Sequence, residues 1–220
     1  MELKDSSPPR QARTEAKAVR RRQLIEATID SIAKHGFAGT TTATVAEGAK
    51  LSHGIINFHF KSKNLLFAET IKHLADEHRA QWRETIEKSG SSPGDKLLAL
   101  VESDFHPKIC NRRKIAVWFA FYCEPRYRAI YRERCSDVDA ERVTETERLC
   151  QEIKQDGGYA QVAPRVFAQS LEAFIDGLWL NILLYPKRFS RQQAKADCHA
   201  YLAATFPNHF TATLPACEPR

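Results

Sequence analysis

The run Thr41-Thr42-Ala43-Thr44-Val45-Ala46-Glu47-Gly48-Ala49-Lys50-Leu51-Ser52-His53-Gly54-Ile55-Ile56-Asn57-Phe58-His59-Phe60-Lys61-Ser62-Lys63 decides the fold of this 220-residue chain. Its opening threonines offer side-chain oxygens to cap a short helix, with Val45, Ala46 and Ala49 turned inward. Lys50-Leu51 turns the chain, and Ser52 caps a second short helix in which Ile55, Ile56 and Phe60 are apolar. Ahead of the run, Leu24, Ile25, Thr28, Ile29, Ile32 and Ala33 recur at three- and four-residue spacing and make one apolar stripe. His35-Gly36 ends that helix, since Gly accepts the left-handed backbone of a helix C-terminus. Three helices, the last two joined by a tight turn, predict a helix-turn-helix. Its second short helix, 52–60, is the element that enters a DNA major groove, backed by Val45, Ala46, Leu51, Ile56 and Phe60.

Charge supports this reading. The chain carries 33 Lys and Arg against 27 Asp and Glu, a formal +6. Between Arg10 and Lys63 there are ten basic residues and four acids, so the remainder, 23 against 23, is neutral. A surplus confined to one quarter of a chain points to a polyanion, although a solvated basic tail produces the same count. Arg20, Arg21 and Arg22 before the motif, with Lys61 and Lys63 after it, are the phosphate candidates, joined by Thr42. Helix 52–60 has no Arg or Lys, so the common Arg–guanine contact is not available from it. Base reading then falls to Ser52, His53, Ile55, Asn57, Phe58 and His59, with Gly54 allowing close approach of the backbone. For His59 a packed position, and for Phe58 a surface aromatic without a DNA contact, are the alternatives.

The rest reads as helical, near 95–105, 112–123, 126–155, 163–184 and 190–205, after a long helix from Ser62 to about Lys88. No period-two alternation is sustained, so the expected class is all-α. The expected organisation is a disordered or extended arm (1–16), a helix-turn-helix domain (17–63), an effector-binding and dimerisation domain (64–206) and a loose tail (207–220). Cys110, Cys123, Cys135, Cys150, Cys198 and Cys217 lack metal or redox spacing and read as free thiols. No apolar run is long enough to span a membrane and no secretory signal is evident, so the expected location is cytoplasmic, on the bacterial nucleoid. Enzyme signatures such as HExxH, GxSxG or a P-loop are absent, and neither metal nor cofactor is expected.

The 41–63 run resembles the DNA-binding signature of the TetR (tetracycline-repressor) family. The likeness extends through the helix order over nearly the whole chain. Two positions depart from the pattern. Lys50 stands where the family has a turn glycine, which costs about 1 kcal/mol or more if that residue has φ > 0. Asn57 replaces a tyrosine, so that residue's phosphate contact does not carry over. Arg20 to Thr28, Gly54-Ile55-Ile56 and Ile175 to Leu180 further resemble the choline-responsive, BetI-like repressors of betaine metabolism within the family. That resemblance implies a homodimeric repressor on a near-palindromic double-stranded DNA operator, released by a small-molecule effector such as choline or a related quaternary amine. A regulator with another effector, or an activator, is the alternative.

Two helices carry candidate effector residues. Trp118 and Tyr122 share a face in helix 112–123, and Asp176 and Trp179 share one in helix 163–184. Aromatic faces with a carboxylate hold quaternary ammonium ions, so these four residues are the expected effector site. Core packing for the aromatics, and a satisfied interhelical hydrogen bond for Asp176, are the alternatives. In helix 163–184 the apolar face of Val166, Phe167, Leu171, Phe174, Ile175, Leu178 and Ile182, with Ala194, Cys198, Tyr201 and Leu202 beyond it, reads either as an internal core helix or as a dimer surface, and the family resemblance implies the dimer surface.

Overall fold

A computed structural model of the chain describes residues 10–52 and 54–211, with residues 10–13 as backbone only. Among the described residues there are nine helices and no strand: α1 (Arg10–Gly39), α2 (Thr42–Gly48), α3 (Gly54–Phe60), α4 (Lys63–Glu87), α5 (Pro93–Ser103), α6 (Arg112–Cys123), α7 (Pro125–Gly157), α8 (Pro164–Leu184) and α9 (Arg191–Thr205). They divide into two compact units whose boundary, between Thr70 and Ile71, falls inside α4.

In the first unit, Leu24, Ile25, Ile29 and Ile32 of α1 are buried, as the spacing predicts. Gly36 breaks that helix with φ 64° and ψ −176°, and Phe37 to Gly39 add a last helical turn. Thr41 caps α2 in a reciprocal box: its side chain accepts from the Thr44 amide, and the Thr44 hydroxyl accepts from the Thr41 amide. The turn after α2 is a Schellman motif, in which Leu51 N–H donates to Ala46 and Lys50 N–H to Glu47, both at 2.9 Å. Lys50 occupies the left-handed position of that motif, with φ 55°. The departure from glycine noted in the sequence is therefore a real backbone cost. Lys61, just past α3, is left-handed as well, with φ 59°. Ile56 and Phe60 anchor α3, and Ser62 caps α4 by accepting from the Leu65 amide at 3.2 Å.

Two expectations at the chain ends need correction. Residues 10–16 are helical, not extended, because the stretch after Pro9 contains good helix formers and no breaker before Leu24, so α1 propagates back to Arg10. Residues 1–9 lie outside the described residues. At the other end, residues 207–211 are held rather than loose. The Asn208 amide donates to the Tyr159 hydroxyl at 2.9 Å, His209 Nδ1 lies 3.0 Å from the same hydroxyl, and Phe210 packs near Phe206. Residues 212–220, including Cys217, lie outside the described residues.

The second unit is a helical body around Leu97, Leu100, Phe105, Ile115, Phe121, Leu149, Leu171 and Phe206. Side-chain caps from Ser92, Asn111 and Ser190 start α5, α6 and α9. Cys110, Cys135, Cys150 and Cys198 are buried free thiols, while Cys123 is exposed. Buried ion pairs, Lys114 with Glu77 and Arg142 with Asp104, cross the interior.

Helix α8 corrects the expected dimer surface. Phe167, Leu171, Ile175, Leu178 and Ile182 are buried within this chain, as are Ala194, Cys198 and Leu202 of α9. The apolar stripe left open on α8 is Val166, Ala173, Gly177, Leu180 and Leu184, which shares only Val166 with the expected face. Steps of seven, four, three and four residues keep it on one helix face.

Candidate DNA interface and effector cavity

In the first unit, α3 presents an exposed polar and aromatic surface. Ser52 just before it, then Gly54, Asn57 and Phe58, are exposed, and Phe58 is 69% open. Ile55 is half-buried. A side-chain carbon added at Gly54 would meet no atom, so nothing in the unit itself requires glycine there. His53 lies outside the described residues. His59 is half-buried, and its Nδ1 is enclosed without a hydrogen-bond partner. Burial, followed by the charges of Lys17, Arg21 and Arg20, pushes its pKa down, so the ring is neutral near pH 7.

The basic candidates separate. Arg20 and Arg22 are exposed on α1, and Lys61 is exposed after α3. Arg21 is paired with Glu69, and its guanidinium sits 4.9 Å from the centre of the Phe60 ring. It braces α1 against the start of α4 instead of reaching outward. Lys63 lies 5.3 Å from the Phe67 ring centre, with its Nζ 3.5 Å from the Phe37 carbonyl. Thr42 is half-buried at the start of α2. Lys17, absent from the sequence candidates, lies 5.6 Å from the ring of the exposed Phe58. A basic residue one helical turn before Arg20 and Arg21 was the signal for it.

The second unit holds a partly open cavity of about 210 Å³. Its wall contains all four residues expected from sequence: Trp118 and Tyr122 of α6, and Asp176 and Trp179 of α8. Sequence reasoning missed His78 of α4, Asp104 at the end of α5, Tyr131, Asp139 and Arg142 of α7, and the site role of Glu172 in α8. Arg142 had a legible signal. It falls on the buried stripe Cys135, Val138, Arg142, Thr146, Leu149, Ile153, where a charge is out of place.

One end of the cavity is aromatic. The Tyr122 and Tyr131 rings meet edge to face at 5.0 Å, and Trp118 is 6.0 Å from Tyr131 and 6.3 Å from Tyr122. Trp179 is fixed by its Nε1–H, which donates to the Asp104 carbonyl at 3.1 Å, and its ring lies 5.9 Å from His78.

The cavity is rich in carboxyl groups. Asp104 accepts from His78 Nε2 and from Arg142 Nη2, each at 2.6 Å. Glu172 accepts from Arg142 Nε at 3.2 Å, and Asp139 accepts from the Tyr131 hydroxyl at 2.7 Å. Among the described residues, Asp176 has neither a hydrogen bond nor an ion pair. Although Asp176 is exposed by surface area, it lines the cavity, where desolvation dominates. That desolvation, with the nearby Glu172, Asp104 and Asp139, pushes its pKa up to about 6. Burial also raises the pKa of Glu172 and Asp139. Four carboxyl groups thus face one guanidinium and one imidazole in a cavity with aromatic walls.

Two family models match the chain. Residues 24–70 match the model of bacterial regulatory proteins of the tetR family, and residues 93–207 match the C-terminal model of BetI-type transcriptional repressors. The chain belongs to the TetR family of transcriptional regulators. Among its TetR-family relatives, the HTH-type transcriptional regulator BetI of Paraburkholderia xenovorans (strain LB400) is 32% identical over 187 residues, covering 84% of this chain and 92% of that protein. BetI of Serratia proteamaculans (strain 568) is 30% identical, covering 87% and 94%. A transcriptional regulator from Pseudomonas aeruginosa PAO1 superposes with a TM-score of 0.73 at 25% identity, covering 87% of this chain and 93% of that one. A transcriptional regulator from Saccharomonospora viridis, solved in complex with choline, superposes at 0.71 and 19% identity, covering 84% and 96%. The expected all-α class, the helix-turn-helix and the BetI-type resemblance therefore hold. Among the described residues no helix is long and apolar enough to cross a membrane.

Proposed function

We propose that this protein is a homodimeric cytoplasmic repressor of choline and glycine betaine metabolism that releases its operator when a quaternary amine fills the second unit's cavity. The observation that carries this is Asp176, an unpaired carboxyl beside Trp118, Tyr122 and Trp179. A fixed cation over aromatic faces needs a counter-charge, and a quaternary ammonium cannot donate a hydrogen bond to a crowded acceptor. At about 210 Å³ the cavity is smaller than drug-sized sites of roughly 300–1,000 Å³ and suits a compact ligand. The choline-bound relative supports the same class.

On DNA, Arg20, Arg22 and Lys61 neutralise phosphates with help from Thr42 and Lys63, while Arg21 positions α1 through Glu69. Ser52, Ile55, Asn57 and Phe58 face base edges, and Gly54 lets the α3 backbone come close. His53 is assigned the same role from its place in the motif. His59, neutral and half-enclosed, supports α3 from one side. The open α8 stripe, with Ala196, Ala200 and Ala204 at steps of four on α9, packs against its copy in a second chain. Such a dimer reads two half-sites one DNA turn apart. Effector and operator oppose each other through α4, which starts at Lys63 beside α3 and carries His78 into the cavity wall. By linkage each ligand weakens the other's affinity by the same factor.

The test is anisotropy of a labelled operator fragment titrated with choline, betaine aldehyde, glycine betaine and tetramethylammonium. Release by at least one of these cationic or zwitterionic amines is expected. No release by any of them overturns the effector assignment and leaves DNA binding standing.

A further inference from the structure

Arg142 is deep in the second unit, with its side chain 4% exposed, and it lines the effector cavity. Two of its three nitrogens are used. Nη2 donates to Asp104 at 2.6 Å and Nε to Glu172 at 3.2 Å. Nη1 is enclosed and has no hydrogen-bond partner. Buried polar atoms in folded proteins are almost always satisfied, and an orphan on a charged group is the costliest kind. An orphan donor on a residue that lines a ligand cavity is a place for an acceptor that arrives with the ligand.

We propose that Arg142 Nη1 is the specificity determinant for a neutral oxygen on the effector, so that the cavity selects quaternary amines bearing a hydroxyl or carbonyl oxygen. This rests on the cationic-effector reading and deepens it. The cavity then has two ends: Asp176 and the aromatic side chains take the ammonium head, and Arg142 takes the oxygen. A neutral acceptor fits better than a carboxylate, because the guanidinium charge is already shared between Asp104 and Glu172. A ligand carboxylate would add an anion to a cavity that also contains Asp139 and Asp176. Hydrogen bonds to charged groups discriminate strongly against ligands that cannot make them.

The test compares choline with n-propyltrimethylammonium, in which a methyl group replaces the hydroxyl, by isothermal titration calorimetry on the full-length protein. Choline is expected to bind tighter by on the order of 10- to 100-fold. Equal affinities overturn this inference and leave the cation reading intact, whereas binding of neither amine overturns both. Glycine betaine binding more tightly than choline overturns the neutral-oxygen assignment. In Arg142→Lys the positive charge is kept and the Nη1 donor is lost, so the ratio of the two affinities should fall towards one. An unchanged ratio in that variant overturns the role of Nη1. If circular dichroism shows the variant unfolded, the ligand pair on the native chain decides.

Discussion

Replacing Asp176 by Asn should remove both cation affinity and most of its dependence on pH. The free carboxyl titrates at about 6, against an ordinary 3.8. At pH 7 about nine-tenths of it is ionised and at pH 5 about one-tenth, so choline affinity should fall about tenfold over that interval. A bound cation that restores the ordinary value shifts the group by about two units, so the protonated form binds on the order of 100-fold more weakly. Asn mimics that form, and the variant at pH 8 should match the weak low-pH limit of the native protein. The stability sign is opposite. A carboxyl with a raised folded pKa contributes most below 3.8, and that contribution is lost as pH rises through about 6. Ligand-free Asp176→Asn should therefore melt at or above the native temperature at pH 7.5, a gain in stability paired with a loss of binding. Tryptophan fluorescence titration at pH 5 to 8, with Trp118 and Trp179 as reporters, measures the affinities, and differential scanning fluorimetry the melting. Glu172 and Asp139, which burial also raises, remain in the cavity of the variant, so the comparison is of the pH slopes of the two proteins. Native affinity with a native pH slope in Asp176→Asn would refute the reasoning.

Three further outcomes follow from the geometry. Lys50→Gly relieves a left-handed lysine at φ 55° and should stabilise the first unit by about 0.5–1 kcal/mol after the entropy of glycine is deducted, read from urea melts; a loss of stability would show that Lys50 makes a compensating contact. Arg20→Ala with Arg22→Ala removes four phosphate contacts from a bound dimer and should reduce the slope of log K against log salt for operator binding by about 4, whereas Arg21→Ala, which breaks the Glu69 pair, should lower stability more than it changes that slope. Leu180→Glu with Leu184→Glu places charges on the open α8 stripe and should shift light-scattering mass from about 50 kDa for a pair of chains to the 25.0 kDa monomer; an unchanged dimer would place the interface elsewhere.

What could be read from sequence was what local chemistry determines. The Thr41 cap, the break at Gly36 and the Ser62 start of α4 each depend on a few adjacent residues, and each is where the sequence places it. Lys50 was legible as a strained position because a turn needs φ > 0 there whatever the rest of the chain does. The four effector candidates were legible because they form two pairs, each on a single helix face. Their partners were not, since those contacts join distant segments: Arg142 reaches Asp104 across 38 residues, and Trp179 reaches the Asp104 carbonyl across 75. The same limit hid the engagement of Arg21 with Glu69, 48 residues away, so three consecutive arginines looked equivalent. The face of α8 that packs inside the chain was read as a dimer surface for a related reason. An apolar helix face reads alike whether its neighbour is the same chain or another.

The arrangement around Asp104 bears on how a small cation could act at a distance. A ligand shifts an equilibrium only through a difference in affinity between two states. Asp104 is the branch point, since it holds His78 of α4 and Arg142 of α7 at equal 2.6 Å distances while its carbonyl fixes Trp179. Burial works against the charge of Arg142, and Asp104 and Glu172 more than offset it. In the proposed mechanism a cation entering beside Asp176 brings a second positive charge close to Arg142 and the carboxylates it pairs with, which weakens the guanidinium's hold on Asp104, the group that also holds His78. Apolar packing alone transmits no such effect, because it responds to volume and not to charge. A neutral ligand of equal size would therefore fill the cavity without altering the His78–Asp104 contact. The excess of carboxylates, a cost to the empty fold, is what makes that contact responsive to charge.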